Sequence, residues 1–483
     1  MRAPTLTDLH QAAERIGLDG VVLGASRTWP SRLRPLADPP PGSGLRPVMG
    51  DSGAPVVGHT LELFLDFLHS SLERKRRLGP VSWARAPIGD VVAVSGPEAC
   101  EEVLRNPRRD FANGPGWEAL IGPFFHGGLM LRDFDEHLQH RRIMQQAFTR
   151  DRLAAHLEQM QPWLAEGVAA WEPADDFLVL PHLKHLLLRS ASDVFLGEHP
   201  EADTEQAVFR AFIDTVRAGS AWVRRDGVPG SRWWKGLRGR EVLDAFFADR
   251  LPAHRAAGAD AGDMFSALAT FTDDDGTAFT DDEVVDHMVF LLMAAHDTST
   301  ITLCTMLWGM AAHPEWQRRA RAESDAIGDC PLTWDDLDRL PSLDLIQREA
   351  LRYVAPVLIL MRTAVRDTEV QGHFVPAGTH LMVSPFVTHR DPEVWDDPDR
   401  FDPARFQPGG EAAGKHPYAW IPFGGGVHKC IGLHMAGVQI KAVLHQVLQR
   451  FTWSLEPDYE LRLDTSTLPV PRDGLPVRLR ARD

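Results

Sequence analysis

The sequence predicts a mainly α-helical protein with small β-sheets, and three observations carry that prediction. Apolar residues recur at helical spacing along most of the chain. One helix candidate is long and punctuated at both ends. Strand-like runs are short, few and bounded by proline and glycine.

In chain order, residues 1–46 read as a lead-in segment and residues 47–483 as a single domain. Residues 28–58 are rich in proline and glycine, including Pro39, Pro40 and Pro41, and read as an extended run. A first hairpin candidate joins residues 81–86 to 91–95, with Pro87 and Gly89 near the turn. A second joins residues 374–375 to 381–383 through Pro376-Ala377-Gly378. The long helix lies between them. Thr280 and Glu283 form a Thr-x-x-Glu capping box at its start, and Pro314 marks its far end. Its length is about 50 Å at the helical rise, enough to cross the domain. Its middle reads Ala294-Ala295-His296-Asp297-Thr298-Ser299. An acid and hydroxyls inside a buried helix demand partners, because unpaired polar groups there are costly.

Composition narrows the function classes. The 483 residues are 44% hydrophobic and 24% charged, as in ordinary globular proteins. A net charge of −16 argues against nucleic acid as a partner. The four cysteines, Cys100, Cys304, Cys330 and Cys430, include no C-x-x-C pair. That argues against a disulfide framework or zinc ribbon and suits a reducing cytosol. The first twenty residues hold no long apolar stretch, so the expectation is a cytoplasmic protein without a membrane anchor.

The strongest local signal is Phe423-Gly424-Gly425-Gly426-Val427-His428-Lys429-Cys430-Ile431-Gly432. Consecutive glycines allow positive φ and let backbone approach a flat group. A helix follows, with Ile431, Met435, Val438 and Ala442 on one face. Cys430 is thus expected at a helix N-terminus, where the dipole, free N–H groups and the neighbours His428 and Lys429 favour a thiolate. Such a thiolate suits a metal ligand or a nucleophile. A plain buried cysteine after a glycine turn is the other reading.

The loop resembles the haem-binding signature of the cytochrome P450 family, F-x-x-G-x-[R/H]-x-C-x-G, at Phe423, Gly426, His428, Cys430 and Gly432. The resemblance extends over roughly residues 47 to 475 and implies a triangular prism with a long central helix over the haem. It makes Cys430 the axial ligand of haem b iron and puts Phe423, Gly424 and Gly432 beside the cofactor. His428 stands where the family usually has Arg and is expected near a propionate.

Other landmarks follow the family's order. His137 and Arg141, within His137-Leu138-Gln139-His140-Arg141-Arg142, resemble H-x-x-x-R-R and are expected on a propionate, as is Arg362. Glu349 and Arg352 match E-x-x-R, which alone is usually a surface pair of little worth. Arg405 completes the family's structural triad with them, with Arg400 in Pro398-Asp399-Arg400-Phe401 as a competitor. Ala294 to Ser299 resemble the oxygen-activation motif. There Ala294 and Ala295 leave room for dioxygen, Thr298 hydrogen-bonds it and Asp297 relays protons. His296 faces the pocket or fills a helix groove.

The resemblance implies a monooxygenase of apolar substrates, terpenoid, steroid, fatty acyl or macrolide-like, as in secondary metabolism. Expected substrate contacts include Trp117, Phe124, Met293, Ala294, Val357, Ile359 and Leu468. No flavin or nicotinamide domain is recognisable, so electrons are expected from a ferredoxin or flavodoxin with its NAD(P)H reductase. A docking patch is expected at Lys429, Arg142 and Lys441. The competing readings are a peroxide-using or non-oxygenating haem-thiolate enzyme, a non-catalytic haem-binding protein, and a zinc or thiol enzyme built on Cys430.

Overall fold

The computed structural model describes residues 23, 24, 26, 29–197, 201–219, 221, 224, 226 and 228–482. Most of the expected lead-in therefore lies outside the described residues up to position 28. The chain forms two compact units. The first takes in Met1–Ala112, Leu358–Asp396 and His416–Trp420; the second takes in Asn113–Val357, Asp397–Lys415 and Ile421–Asp483.

The first unit is built on a seven-stranded sheet. Its strands are β1 (Arg34–Pro35), β2 (Met49–Asp51), β3 (Val81–Ala86), β4 (Gly89–Val94), β5 (Phe111–Ala112), β6 (Leu360–Ala364) and β7 (His380–Val383). They lie in the order β1-β2-β3-β4-β7-β6-β5. The proline-rich stretch thus supplies strands at one edge, not only a connection. The expected hairpin β3–β4 is present, with Val81 opposite Val94. Both faces of the hairpin are largely buried: Val81, Ser82, Trp83, Ala84 and Ala86 on β3, and Val91, Val92 and Val94 on β4.

The second expected hairpin is not formed. Residues 373–375 pair with Thr368–Val370, whereas β7 pairs with β4 and β6 in the other sheet. The reason is the turn before position 373. Gln371 and Gly372 have φ of +50° and +70°, the two positive values of a tight two-residue hairpin loop. The strand ending at Val375 is already partnered, and Pro376-Ala377-Gly378 carries the chain on to a different sheet.

The second unit is helical. Its main elements are α1 (Gly114–Phe125), α2 (Phe134–Gln145), α3 (Arg150–Ala169), α4 (Val179–Leu196), α5 (Ala202–Ala218), α6 (Arg232–Ala257), α7 (Asp281–Ala312), α8 (Pro314–Ile327), α9 (Pro341–Tyr353) and α10 (Leu433–Arg450). The expected long helix is α7, 32 residues, with the Thr280–Glu283 capping box made in both directions. Among the described residues it alone has the length and apolarity to cross a membrane, yet 78% of its apolar window is buried inside the protein. Its threonine hydroxyls are satisfied within the helix. Thr298, Thr300, Thr302 and Thr305 each donate to the carbonyl four residues back. The core around it includes Leu187 of α4, Phe212 of α5, Leu243 of α6, Ile346 of α9 and Val443 of α10.

Candidate active site

The glycine loop puts Cys430 ahead of α10 and not in its first turn, since the helix begins at Leu433 with Gly432 as its cap. Gly424 and Gly426 have φ of +69° and +63°, which other residues rarely adopt. Those two positions fold the loop back so that the Cys430 N–H donates to the Phe423 carbonyl at 2.9 Å. The Cys430 side chain keeps exposed surface although protein crowds its other sides. That crowding pushes its thiol up, against the pull of the Gly432 N–H and the charges of Arg141 and Lys429. The expected thiolate-favouring groups are thus partly present, but burial outweighs them in the protein alone. The second cation is Arg141, not His428.

His428 packs against His137 with the rings tilted by 34° and their centroids 3.8 Å apart, and its Nε2 lies 3.8 Å from Asp133 Oδ1. Both His137 and Arg141 come from α2. His137 is buried at 1% exposure. Burial works against the charge of half-buried Arg141, and Cys430 is the group that favours it. No carboxylate pairs with Arg141 among the described residues. Arg362 belongs to the first unit, where it is buried on β6 and donates to the Met361 carbonyl.

Glu349 and Arg352, on α9, have no exposed surface and pair through two bonds of 2.7 and 2.8 Å. Arg352 also donates to the carbonyls of Pro398 and Arg400. Arg405 Nε lies 3.6 Å from Glu349 Oε1, and Arg405 also pairs with Glu411. Arg400 turns its exposed side chain to Asp402, so Arg405 is the third member of the group.

Past Asp286 and short of its last residue, burial along α7 is broken only around its middle. Met293, Ala294, Ala295 and Thr298 keep exposed surface while the residues on either side are buried. Ala294 and Thr298 are one turn apart and share a face. The Thr298 hydroxyl donates to the Ala294 carbonyl at 2.8 Å, so its proton is engaged and its lone pairs face outward. Asp297 is nearly buried. Its Oδ1 receives Lys184 Nζ at 3.3 Å and lies 3.1 Å from His296 Nδ1. Burial alone would raise its carboxyl, but His296 and Lys184 overrule it and bring it down to about 2. Lys184 stands on α4, 113 positions away in sequence, and no motif pointed to it.

The expected substrate contacts fare unequally. Trp117, Met293, Ala294, Val357 and Leu468 are partly exposed in the second unit, and Ile359 is partly exposed in the first. Phe124 is a correction. It is fully buried and packs edge-on against Trp233 at 4.8 Å, because its side of α1 turns toward α6. Ile121, one turn earlier, keeps exposed surface. Lys441 is a second correction. It is buried, with its ammonium bound to Asp344 and to the Leu337 carbonyl, and presents no charge to a partner. Lys429 and Arg142 are exposed.

These residues fit haem. Among the described residues no three His, Cys, Asp or Glu side chains converge to hold a metal. A lone accessible thiol therefore suits a metal whose other ligands arrive with it, which the tetrapyrrole supplies. Arg141, half buried without a carboxylate, suits a propionate. The small exposed face of α7 leaves room for a small molecule.

Comparison with known proteins agrees. The Cytochrome P450 family model matches residues 48–474. A protein of Mycobacterium tuberculosis named "Putative cytochrome P450 136" is 48% identical over 455 residues, covering 92% of this chain and 91% of its own. The cyclooctat-9-en-7-ol 5-monooxygenase of Streptomyces melanosporofaciens is 31% identical, covering 83% and 88%. The solved structure of retinoic acid bound cyanobacterial CYP120A1 matches with a TM-score of 0.80 at 28% identity, covering 89% of this chain and 98% of that one. The chain belongs to the cytochrome P450 family, and is thus a haem-dependent monooxygenase.

Proposed function

We propose that the protein inserts one atom of O2 into an apolar small molecule of terpenoid size, by hydroxylation or epoxidation, with Cys430 as the iron ligand. The observation that carries the reading is the combination of an accessible thiol on the glycine loop and an accessible small-residue face on α7. Two relatives favour the substrate class: one is named for cyclooctat-9-en-7-ol, and the solved relative binds retinoic acid.

Bound haem supplies the redox chemistry of dioxygen, which a thiolate ligand promotes. The chain does the rest. Phe423, Gly424, His428 and Gly432 shape the loop side of the cofactor site, and His137, Arg141 and Arg362 neutralise propionates. Asp297 brings protons to the face where Thr298 orients oxygen. Trp117, Met293, Ala294, Val357, Ile359 and Leu468 exclude water and seat the substrate. Glu349, Arg352 and Arg405 hold the backbone beside the loop. Residues 47–483 act as one domain in this reading. Electrons come from a ferredoxin or flavodoxin and its NAD(P)H reductase, in the cytoplasm, and the reaction belongs to secondary metabolism.

The reduced carbon monoxide complex tests the ligand. Wild-type protein should show the red-shifted Soret band of a thiolate-bound haem, and Cys430→Ser should lose it. A band retained in the variant would overturn the assignment. Titration with terpenoid, steroid, fatty acyl and macrolide compounds, read as displacement of water from the iron, ranks the substrate classes.

A further inference from the structure

His296 sits mid-way along α7 with 4% of its surface exposed, and both ring nitrogens have partners. Nε2 is 3.0 Å from the carbonyl oxygen of Lys184 on α4. A carbonyl oxygen only accepts, so Nε2 carries a proton. Nδ1 is 3.1 Å from Asp297 Oδ1, the same oxygen that receives the Lys184 ammonium. A neutral ring would turn a lone pair toward that oxygen. A second proton between them removes the repulsion, and an ammonium on Oδ1 favours that proton resting on the ring. Asp297 Oδ2 has no hydrogen-bond partner among the described residues.

We propose that His296 is a positioning residue for proton delivery: an imidazolium that pins Asp297 Oδ1, holds the acid ionised next to Thr298 and stores one dissociable proton. When the store is used, the Nδ1–H bond breaks, its electron pair stays on Nδ1 and the proton passes to Asp297 Oδ1. The ring is left neutral, with Nε2–H still on the Lys184 carbonyl. No oxidant or reductant enters. Lys184 is the cluster's contact with solvent, its side chain 42% exposed. From α5 the Phe212 ring packs edge-on to His296 at 5.6 Å and brings no charge. Cys304, further along α7, stays a neutral thiol because burial pushes it up. Lys184 and Asp297 are therefore the charged groups facing the ring among the described residues.

The proposal rests on the role of Asp297 given above, and two readouts separate them. The first is the ring charge. In holoenzyme labelled with nitrogen-15 histidine, reduced and saturated with carbon monoxide, the His296 signals are those lost in His296→Asn. Both nitrogens should carry a proton, as their two oxygen partners require. A ring with one N–H would overturn the proposal. The second is the absorption decay of reduced holoenzyme mixed with dioxygen, followed against pH in light and heavy water. His296→Asn keeps a donor to Asp297 but holds no dissociable proton, so decay should slow at least about tenfold and lose its inflection. An unchanged profile would overturn the proposal. Asp297→Asn tests the acid itself: if that variant alone is impaired, the role of Asp297 stands and the store on His296 does not. Should His296→Asn lack the carbon monoxide band, Lys184→Met serves instead. Loss of the ammonium should move the inflection to higher pH, and an unmoved inflection would overturn the proposal.

Discussion

Glu349 and Arg352 show what a single residue stakes in this fold. Both are fully buried, so each charge depends on the other and on Arg405 and the surrounding carbonyls. Glu349→Ala would strand the guanidinium, which costs about 3–5 kcal/mol in comparable buried pairs. Denaturant unfolding of holoenzyme should show a loss of that order. Arg352→Lys should also be destabilising, because an ammonium cannot make the forked pair. The E-x-x-R spacing alone could not reveal this, since a surface pair has the same spacing and burial decides its meaning. Asp297 is the converse case. Its carboxyl is depressed from 3.8 to about 2 by His296 and then Lys184, so its pairing with both contributes fully above the unfolded value and is lost as pH falls from about 4 toward 2. Lys184→Met should flatten acid unfolding in that window, measured as melting temperature against pH. Its motif was readable in the sequence, but its partner was not, because Lys184 comes from another helix.

Within single elements, local signals are legible where neighbouring residues of the chain make the contact. The Thr280–Glu283 box was legible because both partners lie within one turn. Thr280→Ala should cost about 1 kcal/mol of stability and leave the carbon monoxide band in place, because the cap lies at the far end of α7 from Thr298. Differential scanning calorimetry together with the reduced spectrum checks both halves. The glycine loop behaves differently. Gly424 needs φ of +69°, and an L side chain there costs roughly 1–2 kcal/mol. Gly424→Ala should therefore lower haem retention, read as the ratio of Soret to protein absorbance, well before it lowers helix content. The missed hairpin had a local cause too. Gln371-Gly372 takes two positive φ angles, but glutamine is not a usual turn residue, so the stronger-looking Pro-Ala-Gly turn drew the pairing to the wrong strand.

For the whole molecule, the family and the helical class were legible because its motifs are spread through the chain in order. The surface was less so, since periodicity cannot tell a charge on a buried helical face from one in water. Lys441 lies on α10 within an otherwise apolar run, and its ammonium is committed to Asp344. The proposed electron partner must then use Lys429 and Arg142, which stay exposed on a chain of net charge −16. A local positive patch on an acidic protein steers an acidic partner over distances near the Debye length, about 10 Å at moderate salt. Replacing Lys429 and Arg142 together by Glu should slow reduction by ferredoxin and remove most of its salt dependence, while peroxide-driven turnover persists. Lys441→Glu should instead place two carboxylates against each other beside α9 and lower the melting temperature. Stopped-flow reduction across a salt series and thermal melts distinguish the two. If both variants lose peroxide-driven turnover equally, the patch is structural and the electrons enter elsewhere.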